Sequence, residues 1–326
     1  MSIFAVTRQS SMCLVLLLVA IFLVSSAHGS KHMDDDNNNN NNNGSDKTNV
    51  LFIFAMGLEG TGHHLGVTLA THSPAVERAE PFRKAIAKAE QSLTHLWRAV
   101  DSIKGANYDV AQAHDDLVTN LANIQQQATA TASSQQPLHV FLSLDGHTMS
   151  WSYPNGGGPE RFLKYPDLDL LYAACDQAGV QCGHFYMYRD PHAVLHSTTI
   201  KRGFDKNTLI GMRLYTTLLN VMHSQLSAHA HRTLACWGFF DTEQTQATKR
   251  LMWNQVRDLF GWTAHNQTGF DAALGKFYHP PEPSSSTMVL TPSERVYMHS
   301  MQLAHNRTLA LCRAQAQERQ AVAGNA

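Results

Sequence analysis

Val50-Leu51-Phe52-Ile53-Phe54-Ala55-Met56-Gly57-Leu58-Glu59-Gly60-Thr61-Gly62-His63-His64-Leu65 is the stretch whose reading decides the fold. An apolar run ends in a loop carrying Gly57, Gly60 and Gly62, and the loop feeds a segment of helical composition. An apolar run bounded by glycine reads as a buried strand of a parallel sheet. Glycines let backbone N–H groups come close to an anion, and the N-terminus of the next helix adds the positive end of its dipole. The stretch is therefore read as strand, anion loop, helix.

Gly57 and Gly62 have the spacing of the phosphate-binding pattern G-x-x-x-x-G-K-[ST]. His63 and His64 stand in the Lys and Ser/Thr places. The loop thus lacks both the phosphate lysine and the hydroxyl that ligates magnesium. A nucleotide hydrolase or kinase needs those groups, whereas a metal-free anion site does without the hydroxyl.

Toward the N-terminus, Arg8 precedes an apolar run over 12–24, followed by Ser25-Ser26-Ala27-His28-Gly29. The run is short for a membrane span and suits a signal peptide, with Ser25 and Ala27 offering a cleavage site. Residues 1–27 are read as a signal peptide or an uncleaved signal anchor. The bulk of the chain is luminal in either case, and any membrane contact is confined to this segment. Residues 28–48 carry Asp34-Asp35-Asp36 and the asparagine run 37–43, with too little apolar surface to fold, and read as a disordered stem. Sequons at Asn43, Asn266 and Asn306 fit a secretory route. Cys13 lies in the apolar run, which leaves Cys175, Cys182, Cys236 and Cys312. Two readings stand side by side: one or two disulfides in an oxidising compartment, with three full pairings open, or four buried thiols.

The 326 residues carry a formal net charge of -1 and no long Lys/Arg block, which argues against a nucleic-acid binder. The 19 histidines are read as scattered surface or core residues, and no metal is expected.

Toward the C-terminus, helices are expected over 65–71, 76–103, around the apolar stripe Leu117, Val118, Leu121 and Ile124, and over 162–178, 191–200, 209–230, 249–260 and 293–312. Residues 125–136, rich in Gln, Ala, Thr and Ser, read as an exposed linker. Strands are expected over 138–144, 183–188 and 232–240. The strand over 138–144, the second of the chain, ends in Asp145-Gly146-His147-Thr148, where an open α/β sheet binds ligands. Asn155-Gly156-Gly157-Gly158-Pro159 reads as a lid, and 277–286 as a loop. Strands alternating with helices give an α/β fold, a mostly parallel central sheet flanked by helices. The folded domain is expected over 49–315, with a polar tail over 316–326.

The third strand ends in Arg189-Asp190-Pro191, and Ser197 follows eight residues after the arginine. A guanidinium makes paired charge-assisted bonds to a phosphate, and a helical hydroxyl adds a donor. Arg, Asp-Pro and Ser in this spacing resemble the 3′-phosphate motif of the sulfotransferases. The loop from Gly57 to His64 resembles that family's 5′-phosphosulfate loop. Phe260-Gly261-Trp262 resembles the ending of a later family helix. The likeness runs over roughly 49–312.

The resemblance implies a P-loop-like sulfotransferase architecture. It also implies 3′-phosphoadenosine 5′-phosphosulfate as co-substrate, bound by Gly57, Gly60, Thr61, Gly62, His63, His64, Arg189 and Ser197. It implies transfer of a sulfuryl group to an acceptor hydroxyl, with a glycan as the expected acceptor and the Golgi lumen or the exterior as the place. Many family members have Lys or Arg where this chain has Gly60. His63 or His64 is expected to supply that donor, with Lys201 or Arg202 as the other candidates. His147 stands near the place of the family's catalytic histidine and is the expected base, with Asp145 and Glu59 behind it. Two rival readings are another P-loop phosphotransferase and a secreted binding protein with the same fold and no catalysis.

Overall fold

The apolar run does form a strand, β1 (Val50–Leu58), and it lies inside a sheet with partners on both edges. The computed structural model describes residues 50–58, 60–100, 109–131, 138–142, 150–153, 167–201, 208–238, 246–263, 267–275 and 289–324. On one edge of β1 lie β2 (Leu138–Phe141) and β3 (Ser150–Tyr153) in tandem. Their registers begin at Val50↔Leu138 and Ala55↔Ser150. On the other edge lies β4 (Gln181–Tyr188), followed by β5 (Thr233–Gly238). Every pairing is parallel, as the expected α/β fold requires. The strand expected over 138–144 is shorter, and the strand expected over 232–240 is described over Thr233–Gly238. Strand β3 was not expected. Its alternation Ser-Trp-Ser-Tyr has a strand's period of two, but it reads equally as a ligand loop after β2.

Side chains of a strand alternate between faces, and β1 feeds two apolar layers. Phe52, Phe54 and Met56 enter the larger layer, while Ile53 and Ala55 enter the smaller. The larger layer is closed by α3 (Arg83–Val100), α4 (Val110–Thr131), α5 (Leu168–Ala178), α7 (Thr208–Ala228) and α10 (Pro292–Gly324). The smaller is closed by α1 (His63–Thr71), α2 (Pro74–Ala79), α8 (Gln246–Phe260) and α9 (Gln267–Gly275). The short α6 (Pro191–Leu195) follows β4 and adds Val194 and Leu195 to the larger layer. Each fully buried Phe of β1 contributes about 2–3 kcal/mol relative to an exposed one.

Three expectations are corrected. The helix expected over 76–103 is broken by a 3₁₀ turn, Glu80–Phe82, because Pro81 has no N–H to continue the ladder. The expected linker over 125–136 is helical as far as Thr131. Gln and Ala are good helix formers, Ala128 is buried, and Gln125 Oε1 accepts a bond from Val50 N at 3.2 Å. The last helix does not stop at 312 but runs on to Gly324, through the segment expected as a polar tail. It starts with a capping box: Glu294 N donates to Thr291 Oγ1, and Thr291 N donates to Glu294 Oε2.

The extension of α10 is held by a buried polar chain. Gln315 Nε2 donates to Leu226 O at 2.8 Å, which turns its Oε1 to accept from Thr233 Oγ1 at 2.8 Å. Thr233 then accepts from His184 Nε2 at 3.0 Å, and His184 Nδ1 accepts from the Tyr172 hydroxyl. This assignment makes His184 a neutral imidazole with both nitrogens satisfied. Burial holds its pKa down, to about 3, and pushes the Tyr172 hydroxyl up.

Of the three cysteine pairings, the structure has Cys175–Cys182 and Cys236–Cys312. The first ties α5 to the start of β4. The second ties β5 to α10. The N-terminal segment, the stem, the sequon at Asn43, Asn266 itself, the lid and the loop over 277–286 lie outside the described residues. Among the described residues, no helix is long and apolar enough to cross a membrane.

Candidate functional site

Strand order reverses between β1 and β4. The chain goes from β1 to one side, through β2 and β3, and then crosses to β4 on the other. Ligands of open parallel sheets bind outside the carboxyl ends of the strands at such a switch point. The loop after β1 and the turn after β4 meet there.

The loop is closed tightly. Thr61 donates twice to Leu58 O, from its backbone N at 3.1 Å and from Oγ1 at 2.7 Å. Gly57 allows this closure, since a Cβ there would stand 2.7 Å from Thr61 Oγ1 and 2.8 Å from Met187 O. Gly60 has φ +90°, and its Cβ would come within 3.0 Å of Thr198 Cγ2. Gly62, with φ 95°, is the N-cap of α1 and brings no side chain to the first turn. The first turn of α1 carries no acidic residue.

From the other side, β4 delivers Arg189, whose Nη1 donates to Gly60 O at 2.8 Å. Asp190 caps α6, accepting from His192 N at 2.9 Å and Ala193 N at 3.1 Å, with Pro191 in the first helical place. The chain then widens into a π turn, His196–Lys201. Such turns recur at functional sites. Thr198 is buried and donates to Val194 O at 2.9 Å. Ser197 lies against the loop, its Cβ 3.6 Å from where a Cβ on Gly60 would stand.

Gly57, Gly60, Thr61, Gly62, Arg189 and Ser197 are thus neighbours. Thr61 turns its hydroxyl inward to close the loop and is 2% exposed, so its donors serve Leu58. His63 and His64 open α1, and their side chains lie outside the described residues. His147, Asp145, Glu59 and Arg202 also lie outside them, as does the side chain of Lys201. Backbone N–H groups at a helix start, a guanidinium and a hydroxyl are the kinds of donor that can bind the oxygens of an anion.

A second layer had no sequence signal. Arg313 of α10 lies over the Tyr188 ring, 5.4 Å from its centroid, and its Nη2 donates to the Tyr188 hydroxyl at 3.1 Å. Gly238 lies on the ring as well, and a Cβ there would meet the ring within 2.7–2.8 Å. Tyr188 is therefore fixed next to Arg189. Gln302 Nε2 donates to His192 Nε2 at 3.1 Å, which ties α10 to α6. His305 is mostly buried, and burial pushes its pKa down against the pull of Asp190. These partners are far apart in sequence, 125 residues for Arg313 and Tyr188 and 110 for Gln302 and His192, so no local pattern announces them. His192 and His196 do have the four-residue spacing of paired helical ligands. Among the described residues, no group of three His, Cys, Asp or Glu is placed to hold a metal.

No protein-family model matches the chain, and no curated protein does. A solved structure, the sulfotransferase domain from the Synechococcus PCC 7002 olefin synthase, is similar at 14% identity. The likeness covers 88% of this chain and 98% of that one, with a TM-score of 0.36. A likeness that remote assigns no family.

Proposed function

We propose that the protein is a sulfotransferase that moves a sulfuryl group from 3′-phosphoadenosine 5′-phosphosulfate to a hydroxyl of a carbohydrate acceptor. The observation that carries this reading is the bond from Arg189 to Gly60 O, which joins the two motifs resembling that family into one site. The first turn of α1 receives the 5′-phosphosulfate. Arg189 and Ser197 receive the 3′-phosphate. In the transfer, the acceptor oxygen forms a bond to sulfur while the bond from sulfur to the bridging phosphate oxygen breaks. The electron pair stays on the phosphate, where N–H donors stabilise it. His147 takes the acceptor proton. The reaction needs no metal.

The two disulfides favour an oxidising compartment, and with the N-terminal apolar run they support a secretory-pathway location.

A second reading has a specific observation behind it. The position that is basic in many sulfotransferases is Gly60 here, and φ +90° with Thr198 at 3.0 Å leaves no room for a basic side chain. A protein that binds the nucleotide but transfers nothing fits this feature.

Calorimetry with 3′-phosphoadenosine 5′-phosphate tests both readings. Saturable binding by the wild type that is lost in Arg189→Ala supports the site. Absence of binding to a folded wild type overturns it. Binding without turnover across a panel of glycan acceptors selects the second reading.

A further inference from the structure

We propose that Asn306 is an N-glycosylation acceptor that can be used only before α10 docks, and that the Cys236–Cys312 disulfide closes that interval. The inference rests on the secretory location proposed above, not on the transferase reading. The sequon is Asn306-Arg307-Thr308, in the middle of α10. Asn306 is exposed, so a finished glycan clears the fold. Thr308 is the opposite case. It is fully buried, and its hydroxyl donates to Ala304 O at 2.9 Å and to Leu219 O at 3.2 Å. Arg307 between them is held by Asn220 Oδ1 at 2.6 Å.

Residues two apart on an α-helix point about 200° away from each other. The amide of Asn306 and the hydroxyl of Thr308 therefore lie on opposite sides of the docked helix. A transferase that reads N-x-[ST] must reach both. It can do so only while this part of α10 is unwound and free of α7. Cys312 lies one turn beyond Thr308 and is bonded to Cys236 of β5, so oxidation fixes that turn against the sheet. The transfer itself uses an oligosaccharide carried on a polyprenyl diphosphate. Asn306 Nδ2 forms a bond to the anomeric carbon, the carbon–oxygen bond to the diphosphate breaks, and one amide proton is released.

The test is cell-free synthesis of the full chain with endoplasmic-reticulum microsomes. Asn43→Gln and Asn266→Gln are present throughout, so that Asn306 is the remaining sequon. The expected result is a mobility step, removed by peptide N-glycosidase, in a larger share of chains with Cys312→Ser than with Cys312 intact under oxidising conditions. Cys175→Ser does not raise the share, and Thr308→Ala abolishes the step. No step with either form of Cys312, or an equal share with both, overturns the proposal. Protection of the chains from added protease separates the causes. Unprotected chains mean that the secretory reading has failed, and with it the proposal. Protected chains without the step mean that the proposal has failed alone.

Discussion

Arg189 reaches across 129 residues of sequence to place Nη1 2.8 Å from the carbonyl oxygen of Gly60. The bond fixes the loop after β1 to the end of β4. A guanidinium has five N–H donors in a rigid fork, so latching the loop and binding an anion are compatible tasks for one side chain.

Arg189→Ala is expected to weaken binding of 3′-phosphoadenosine 5′-phosphate by roughly 10–100-fold, the loss of about 1.5–3 kcal/mol for hydrogen bonds to a charged group. Arg189→Lys keeps the charge and loses the fork, so it should fall between the two. Titration calorimetry on the three proteins reads this directly. Equal affinity in all three would show that the anion does not bind here.

Gly60→Ala is expected to destabilise the fold by about 1–3 kcal/mol, through the left-handed backbone and the contact with Thr198 Cγ2. Gly60→Lys should be no better and should not restore a family-like basic donor. Urea midpoints and nucleotide affinity, measured together, check both statements.

His184 gives the fold an acid-sensitive window. Its folded pKa, about 3, lies below the ordinary value of 6.5, so the unfolded chain binds the proton more readily. Its contribution is complete above about pH 6.5 and is lost as pH falls toward 3, at up to about 1.4 kcal/mol per pH unit. His184→Gln should be less stable than wild type at pH 7, with the difference shrinking by pH 4.5. Urea denaturation at several pH values measures the two curves. Parallel curves would show that His184 does not carry the effect.

The two disulfides should differ in weight. In the chain-entropy account, the Cys175–Cys182 link, with a sequence separation of 7, contributes about 2–3 kcal/mol. The Cys236–Cys312 link, with a separation of 76, contributes about 4–5 kcal/mol. Paired Cys→Ser variants compared by guanidinium unfolding should keep that order.

What the sequence made legible was local. β1 could be read because every second residue on both faces is apolar, and β4 because Phe185-Tyr186-Met187-Tyr188 runs straight into Arg-Asp-Pro. Arg189 and the glycines of the loop could be paired in advance because each sits at a strand end, where an α/β sheet gathers its ligands. The misses have the opposite character. Gln125 looked like linker because its role, capping the start of β1, depends on a partner far away in the chain. The last turns of α10 looked like a tail because Gln315 is polar, and only His184, Thr233 and Leu226 make it an interior residue. Arg313 and Gly238 gave no sign of gripping Tyr188, since a packing partner across a sheet edge leaves no periodic trace.

The tandem arrangement of β2 and β3 bears on how the protein can be altered. Between Ile53 and Ala55, β1 advances by two places while its partner goes from Phe141 to Ser150. Phe141 and Ser150 are therefore two fixed points on the strand that also carries the glycine loop. Exchange of the sequence between Phe141 and Ser150 is expected to leave the pairing of β1 with β4 and the latch from Arg189 to Gly60 as they are, since neither uses a residue of that stretch.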